Sequence, residues 1–432
     1  MSTFQPVLTE HIHQEDCHTL PFYKSVGGYT AIEKVLKMSP EDVTREVKDS
    51  NLRGRGGAGF PTGMKWGFIP KDSEQTKYLI NNADESEPGT FKDRLLMNKA
   101  PHQMLEGMII AAYAIGCHTS FIYIRGEFYK EYKLLEKVIA EAYNENLLGK
   151  GILGSNYDLD VVVHRGAGAY ICGEETGLIE SLEGKRGWPR IKPPFPAIEG
   201  YLRCPTVVNN VETLSCLPHI INRGVEWFKS IGTEKGPGPR LFCVSGRVNN
   251  PGVFEEPMGI SLKDLIFDRA GGIPDGKKLK AVFPGGSSSA ILTADEAMDV
   301  MMDFEDLVEK KSMLGSAGVI VMDETVDMVQ ACFNIARFYA HESCGQCTPC
   351  REGTAWLVKM LTRLVNGGGK SEDIDMLFEI TDNIGGLIDF SKGSFGKTIC
   401  PFGEAVAWPV KSFVEKFKDE FLKYLPREKV VA

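Results

Sequence analysis

The chain of 432 residues is too long for one ordinary hydrophobic core, so two or three domains are expected. Its 43% hydrophobic and 25% charged residues exclude a disordered or fibrous protein. A formal net charge of −9 argues against nucleic acid as a partner, because the phosphates would repel such a surface.

The first residues are polar and acidic (Glu10, Glu15, Asp16), with neither an apolar h-region nor a basic amphipathic pattern. A reducing bacterial cytoplasm, or a mature organellar chain, is the expected setting. Ser39-Pro40-Glu41 reads as an N-cap, an N1 proline and an acidic first turn, opening a helix through about Lys48. Strands are expected at Tyr78–Ile80, Phe121–Ile124 and Leu159–Val163, with a helix carrying Leu134, Leu135, Val138, Ile139 and Ala142 before the last. That alternation predicts an α/β layer with a partly parallel sheet. The longest apolar run, Met108–Ile115, is too short to span a bilayer.

Near Gly232–Pro239 the composition shifts to a glycine- and proline-rich linker. Strands at Leu241–Ser245, Val253–Phe254, Lys280–Phe283 and Gly318–Met322, with a helix around Ser261–Asp268, predict a small α+β module. From Thr325 the pattern turns helical, with helices expected at Arg351–Val365, Glu372–Asn383 and Gly403–Tyr424. The expected division is 1–236, 237–324 and 325–432.

Of the eleven cysteines, seven are scattered and read as small buried hydrophobes. The others form Cys344-Gly-Gln-Cys347-Thr-Pro-Cys350 and, fifty residues on, Cys400-Pro401. Three thiolates from one loop with a remote fourth before proline is a common way to hold a cubane [4Fe–4S] cluster. Structural zinc remains the alternative, although its Cys₄ sites favour two separated C-x₂-C pairs. A helix starting near Arg351 would aim its amides at the anionic cluster.

Gly54, Gly56 and Gly59 formally spell G-x-G-x-x-G, but a helix precedes them and Pro61 and Gly63 block a long helix after them. With no acidic residue about twenty positions on, the ordinary dinucleotide fingerprint fails. Bare amides still let a planar ring or phosphate approach, with Arg53, Arg55 and Lys65 supplying charge and Phe60 and Phe68 flanking. Asn82–Gly89 and Gly166–Thr176 each follow a strand, placing both at the carboxyl end of the sheet, where α/β ligands bind.

These motifs, with Lys192-Pro-Pro-Phe195-Pro, Val208–Thr213 and Glu342–Gly353, resemble the NADH-binding flavoprotein subunit of respiratory complex I over nearly the whole chain. The resemblance implies a Rossmann-like FMN domain, a ubiquitin-like (β-grasp) domain and a helical bundle carrying the cluster on Cys344, Cys347, Cys350 and Cys400. It implies FMN contacts from Gly54, Arg55, Gly56, Gly57, Lys65, Asn82, Asp84, Glu85, Ser86, Gly173, Glu174, Val208, Asn209 and Asn210. For NADH as substrate it implies Gly57, Phe60, Phe68, Glu87, Glu175, Lys192 and Phe195, an adenine stacking between aromatic faces. On this reading Lys65 stabilises charge on the reduced flavin, while Glu87 and Glu175 orient nicotinamide and ribose. The implied partners are a small thioredoxin-like [2Fe–2S] subunit and a larger iron–sulfur subunit of the peripheral arm. Attachment to the inner face of the cell membrane would then be indirect, with no membrane insertion of this chain. A diaphorase subunit of an NAD-linked hydrogenase or formate dehydrogenase is the nearest alternative. A zinc-bearing, non-catalytic scaffold is a second.

Overall fold

The computed structural model describes residues 4–385, 388–389 and 394–426, so both ends of the expected division fall outside the described residues. Four strands, β1 (Tyr78–Ala83), β2 (Thr119–Ile124), β3 (Asp160–Arg165) and β4 (Thr206–Asn210), form a parallel sheet in the order β3-β2-β1-β4. Parallel neighbours need crossovers, and helices supply them: Lys92–Lys99 and Pro101–Ile115 before β2, and Tyr129–Asn144 before β3. The Pro101–Ile115 helix is buried on nearly every face. It absorbs the longest apolar run as a core element, as expected of a helix hydrophobic all round. The strand order reverses at β1, with β2 and β3 on one side and β4 on the other. A crevice opens at the carboxyl ends of β1 and β4, where such a sheet binds its ligands.

Five more strands follow: β5 (Pro239–Gly246), β6 (Gly252–Pro257), β7 (Leu279–Phe283), β8 (Leu292–Thr293) and β9 (Gly318–Asp323). Their order is β6-β5-β9-β7-β8, with β5 and β9 parallel at the centre and the other pairs antiparallel. Two hairpins thus flank a last strand inserted between them, and the turn of helix at Leu262–Arg269 packs Leu262, Leu265 and Ile266 on Phe242 and Val244. This is the β-grasp arrangement.

The C-terminal helices are Met328–Glu342, Thr348–Val365, Ser371–Ile384 and Phe402–Lys416. Leu357, Leu361, Leu377, Val410 and Phe413 share one apolar cluster with Ile80, Tyr123 and Leu178 of the first domain, so the bundle is seated on the sheet region. The helix expected over Gly403–Tyr424 breaks at Phe417, before a short turn at Lys418–Leu422. Among the described residues no helix is long and apolar enough to cross a membrane.

Candidate active site

Three segments meet at the crevice. The glycine loop is pinned at its base, where the Gly54 amide donates to the Phe60 carbonyl at 2.9 Å and Arg53 pairs with Pro61. At its tip Gly57 has φ +142°, and nothing stands within 4 Å of where its side chain would be. Gly56 lies against Asn210, whose Cβ is 3.2 Å from that position. Asn82, at the end of β1, donates to the Gly173 carbonyl at 2.9 Å and so ties the second segment to the third.

The resulting cavity is about 500 Å³, within the range for a cofactor-sized ligand. Arg55, Gly56, Gly57, Asn82, Asp84, Glu85, Ser86, Glu87, Gly173, Glu174 and Asn210, all singled out from the sequence, line it. Its bare glycine tip suits a flat ring carried close to the backbone. Not every side chain faces the space. The Arg55 guanidinium is fully buried and donates to the Pro237 carbonyl at 2.9 Å. The Asn209 amide oxygen accepts from the Trp66 indole at 2.9 Å, and Val208 is buried in β4.

A charged group flanks the cavity. Lys192 donates to Glu174 at 2.9 Å and to Glu175 at 2.8 Å, and the Lys65 ammonium stands 3.6 Å from Glu175. Burial works against the charge, yet Glu175 and Glu174 hold the Lys192 ammonium above its ordinary range. Burial likewise opposes the Glu175 charge, and Lys65 and Lys192 overcome it and hold the carboxyl low. Phe60 and Phe68 expose rings 6.0 Å apart and tilted by 48°, and Phe195 is also half exposed.

Glu87 lies deeper. Its carboxylate accepts from the Tyr170 hydroxyl at 2.7 Å, from the Ser288 amide at 2.7 Å and from the Ser287 hydroxyl at 3.3 Å. Burial raises its carboxyl, against the pull of the Tyr170 hydrogen bond. Ser287 and Ser288 belong to the loop after β7 and were not expected from the sequence. The run Gly285-Gly286-Ser287-Ser288 follows a strand, the same signal that marked the other two segments.

Behind the crevice, Lys92 is 1% exposed and pairs with Asp93 and Glu212, each at 2.8 Å. This buried group was also unforeseen, because isolated lysines in sequence look like solvated surface.

Pro401, Phe402, Ala405 and Trp408 form part of the cavity wall. They follow Cys400 directly, so the cavity and the cysteine cluster adjoin. Cys344 comes just after the Met328–Glu342 helix, Cys347 is the N-cap of the next helix and Cys350 lies in its first turn. That helix begins at Thr348, three residues before the expected Arg351, because Pro349 is tolerated in a first turn where its missing amide has no partner to lose. Cys347 and Cys350 act directly on each other, and Cys400 feels the charges of Cys344 and Cys347, so the four thiols share one locality. Burial pushes the Cys400 thiol up to about 12, so a bound metal must supply the charge that favours its thiolate. Among the described residues no three His, Cys, Asp or Glu side chains form a set able to hold one metal ion.

Comparison with known proteins agrees with this geometry. The Nuo51 FMN-binding domain matches residues 47–219, the SLBB domain residues 240–321, and the NADH-ubiquinone oxidoreductase-F iron-sulfur binding region residues 330–424. The second NADH-quinone oxidoreductase F-subunit of Rhizobium meliloti is 50% identical over 98% of this chain and 98% of its own length. The F-subunit of the Mycobacterium bovis NADH-quinone oxidoreductase is 50% identical over 97% of this chain and 93% of its own. A crystal structure of an NAD⁺-reducing [NiFe]-hydrogenase in the H₂-reduced state superposes with a TM-score of 0.83 at 36% identity, covering 95% of this chain and 67% of that one. Fold and site therefore define a flavoprotein that joins an FMN domain, a β-grasp module and an iron–sulfur helical region. The chain belongs to the family of NADH-quinone oxidoreductase F-subunits.

Proposed function

We propose that the chain oxidises NADH at the crevice and passes the electrons singly to a [4Fe–4S] cluster on Cys344, Cys347, Cys350 and Cys400, as the electron-input subunit of an NADH:quinone oxidoreductase. The observation that carries this is the shared wall: the Pro401–Trp408 segment after Cys400 lines the cavity at the β1 and β4 ends. Bound FMN supplies the conversion of a two-electron donor into single-electron steps. The chain's part is to bind and orient. The Gly54–Gly57 loop, Asn82 and Asn210 hold the flavin, with Asp84, Glu85, Ser86, Gly173 and Glu174 around it. The Phe60 and Phe68 faces receive the adenine, and Phe195 stands at the rim. Lys65, fixed by Glu175 and by the Val208 carbonyl at 3.2 Å, places a positive charge beside the ring. Glu87 and Glu175 orient the nicotinamide half, and Lys192 is released from its two carboxylates to meet the diphosphate. The domain division 1–236, 237–324 and 325–432 is part of this proposal.

The neighbours proposed are a thioredoxin-like [2Fe–2S] subunit and a larger iron–sulfur subunit, through which the chain is held at the inner face of the membrane. The hydrogenase likeness favours a diaphorase role as the second reading, but relatives at 50% identity are quinone oxidoreductase subunits, against 36% for the hydrogenase. Purification from native cells tests this. Flavin absorption bleached by NADH, with quinone-reductase subunits co-purifying, is expected; a colourless zinc protein refutes the proposal, and hydrogenase subunits select the second reading.

A further inference from the structure

Resting on the reading above, the stoichiometry of the reaction raises a question the cofactors do not answer. NADH → NAD⁺ + H⁺ + 2 e⁻: the hydride carries a proton into the crevice with two electrons, and a one-electron acceptor, the iron–sulfur centre and whatever oxidises it, removes only the electrons. One proton per turnover must leave the crevice by another route.

The carboxylates around the crevice are candidates to take it; Glu404 of the bundle has a partner of its own, and five more are otherwise engaged. Glu85 accepts from the Asp93 and Arg94 amides at 2.7 and 2.9 Å. Glu87 is held by Tyr170 and Ser288, as described above. Asp93 takes the Lys92 ammonium and the Asn210 amide. Glu174 caps the Glu175–Leu182 helix through the Thr176 and Gly177 amides and meets Lys192, which also holds Glu175. Each would give up an ion pair or several hydrogen bonds on protonation. Asp84 differs. Among the described residues its carboxylate has a single hydrogen-bond partner, the hydroxyl of Ser86, which can itself pass a proton on. It lines the cavity and is only partly accessible.

We infer that Asp84 is the group that accepts the proton left by NADH oxidation and, with Ser86, returns it to solvent towards Glu127. Arg125 donates to the Glu85 carbonyl at 2.8 Å and to Glu127 at 2.7 and 3.0 Å, and the Glu127 side chain is 51% exposed. The charged and titratable groups facing Asp84 are Arg125 and Glu127 from the turn after β2, Glu342 from the first bundle helix, Tyr123 from β2 and Cys172 from the loop after β3. Burial pushes the Asp84 carboxyl up to about 7, with the Ser86 hydroxyl pulling it only part of the way down, so it can both take and release a proton at neutral pH.

The test uses the full chain loaded with flavin and cluster, NADH as donor and ferricyanide as the one-electron acceptor, comparing wild type, Asp84→Asn, Asp84→Glu and Glu127→Gln. In Asp84→Asn, kcat should fall on the order of 10²-fold, as for loss of a positioned proton acceptor, with KM for NADH little changed and a larger solvent deuterium isotope effect. Asp84→Glu should restore most of the rate. An equilibrium redox titration of the bound flavin should show a bend with pH near neutrality in the wild type and none in Asp84→Asn. A wild-type kcat and an unchanged bend in Asp84→Asn would overturn the inference. Should that variant lose its flavin, Glu127→Gln decides: slower turnover with a raised isotope effect supports the route, and wild-type values of both overturn it. A wild type that NADH does not bleach would instead bring down the underlying functional reading.

Discussion

The Tyr170 hydroxyl donates to Oε2 of Glu87 at 2.7 Å while the Ser288 amide donates to Oε1 of the same carboxylate, also at 2.7 Å. One side chain from the loop after β1 thus ties together the loop after β3 and the β-grasp module. The Tyr170 ring continues the link, packing edge-on against Tyr339 and Phe402 of the bundle at 5.8 and 5.7 Å. Tyr170→Phe keeps the packing and removes one donor from a buried carboxylate. We expect a loss of about 1–3 kcal/mol, seen as a lower thermal midpoint. An unchanged midpoint would show that the link carries no stability.

Lys92 sits among Asp93 and Glu212 with almost no solvent contact. Lys92→Met leaves two buried carboxylates without their cation and should cost about 3–5 kcal/mol. The exposed pair Lys150 with Asp158 at 2.7 Å is the control. Lys150→Ala should leave the unfolding midpoint where it is, because surface pairs contribute little.

Burial pushes the Glu106 carboxyl up to about 7, in spite of hydrogen bonds from the Tyr23 hydroxyl and the Tyr29 and Ala31 amides. A folded-state value above the unfolded one means stability that is fully present at acid pH, below the unfolded value, and is lost as pH rises through about 7. The loss attributable to this group is about 3 kcal/mol, from a displacement of roughly two and a half pH units. The difference in thermal midpoint between wild type and Glu106→Gln should therefore shift in the variant's favour between about pH 4.5 and 7 and level off above. Parallel curves would contradict this.

Cys350 is buried in the first turn of the Thr348–Val365 helix, on the bundle side of the shared wall. Cys350→Ala should lose the cluster's iron while keeping stoichiometric flavin, measured by iron and flavin content after reconstitution. Loss of both groups would mean the two sites are not separable.

Much of this was legible in the sequence, for reasons that differ by element. The first three strands of the parallel sheet and the helices around the cysteines announce themselves by periodicity, and the cysteine spacing marks the cluster without help from the fold. β4 was not visible as a strand, because Thr206–Asn210 is short and ends in two asparagines, residues that signal a turn. Sheet neighbours decide it: Leu79 and Ile80 of β1 stand beside Val207 and Val208. The glycine loop was readable as a ligand platform, yet which side chains face the crevice was not. Arg55 and Asn209 turn inward to Pro237 and Trp66, partners more than 140 residues away that no local pattern contains. Ser287 and Ser288 reach Glu87 only because the β-grasp module docks on the first domain.

In the function proposed, a flavin on the Gly54–Gly57 loop feeds iron held by Cys344, Cys347, Cys350 and Cys400. Anaerobic mixing of the reconstituted chain with NADH, followed by optical spectroscopy and by electron paramagnetic resonance of frozen samples, tests it most directly. Bleached flavin absorption and the signal of a reduced [4Fe–4S] cluster are expected in the same sample. Flavin and iron that both stay oxidised in the presence of excess NADH would contradict it.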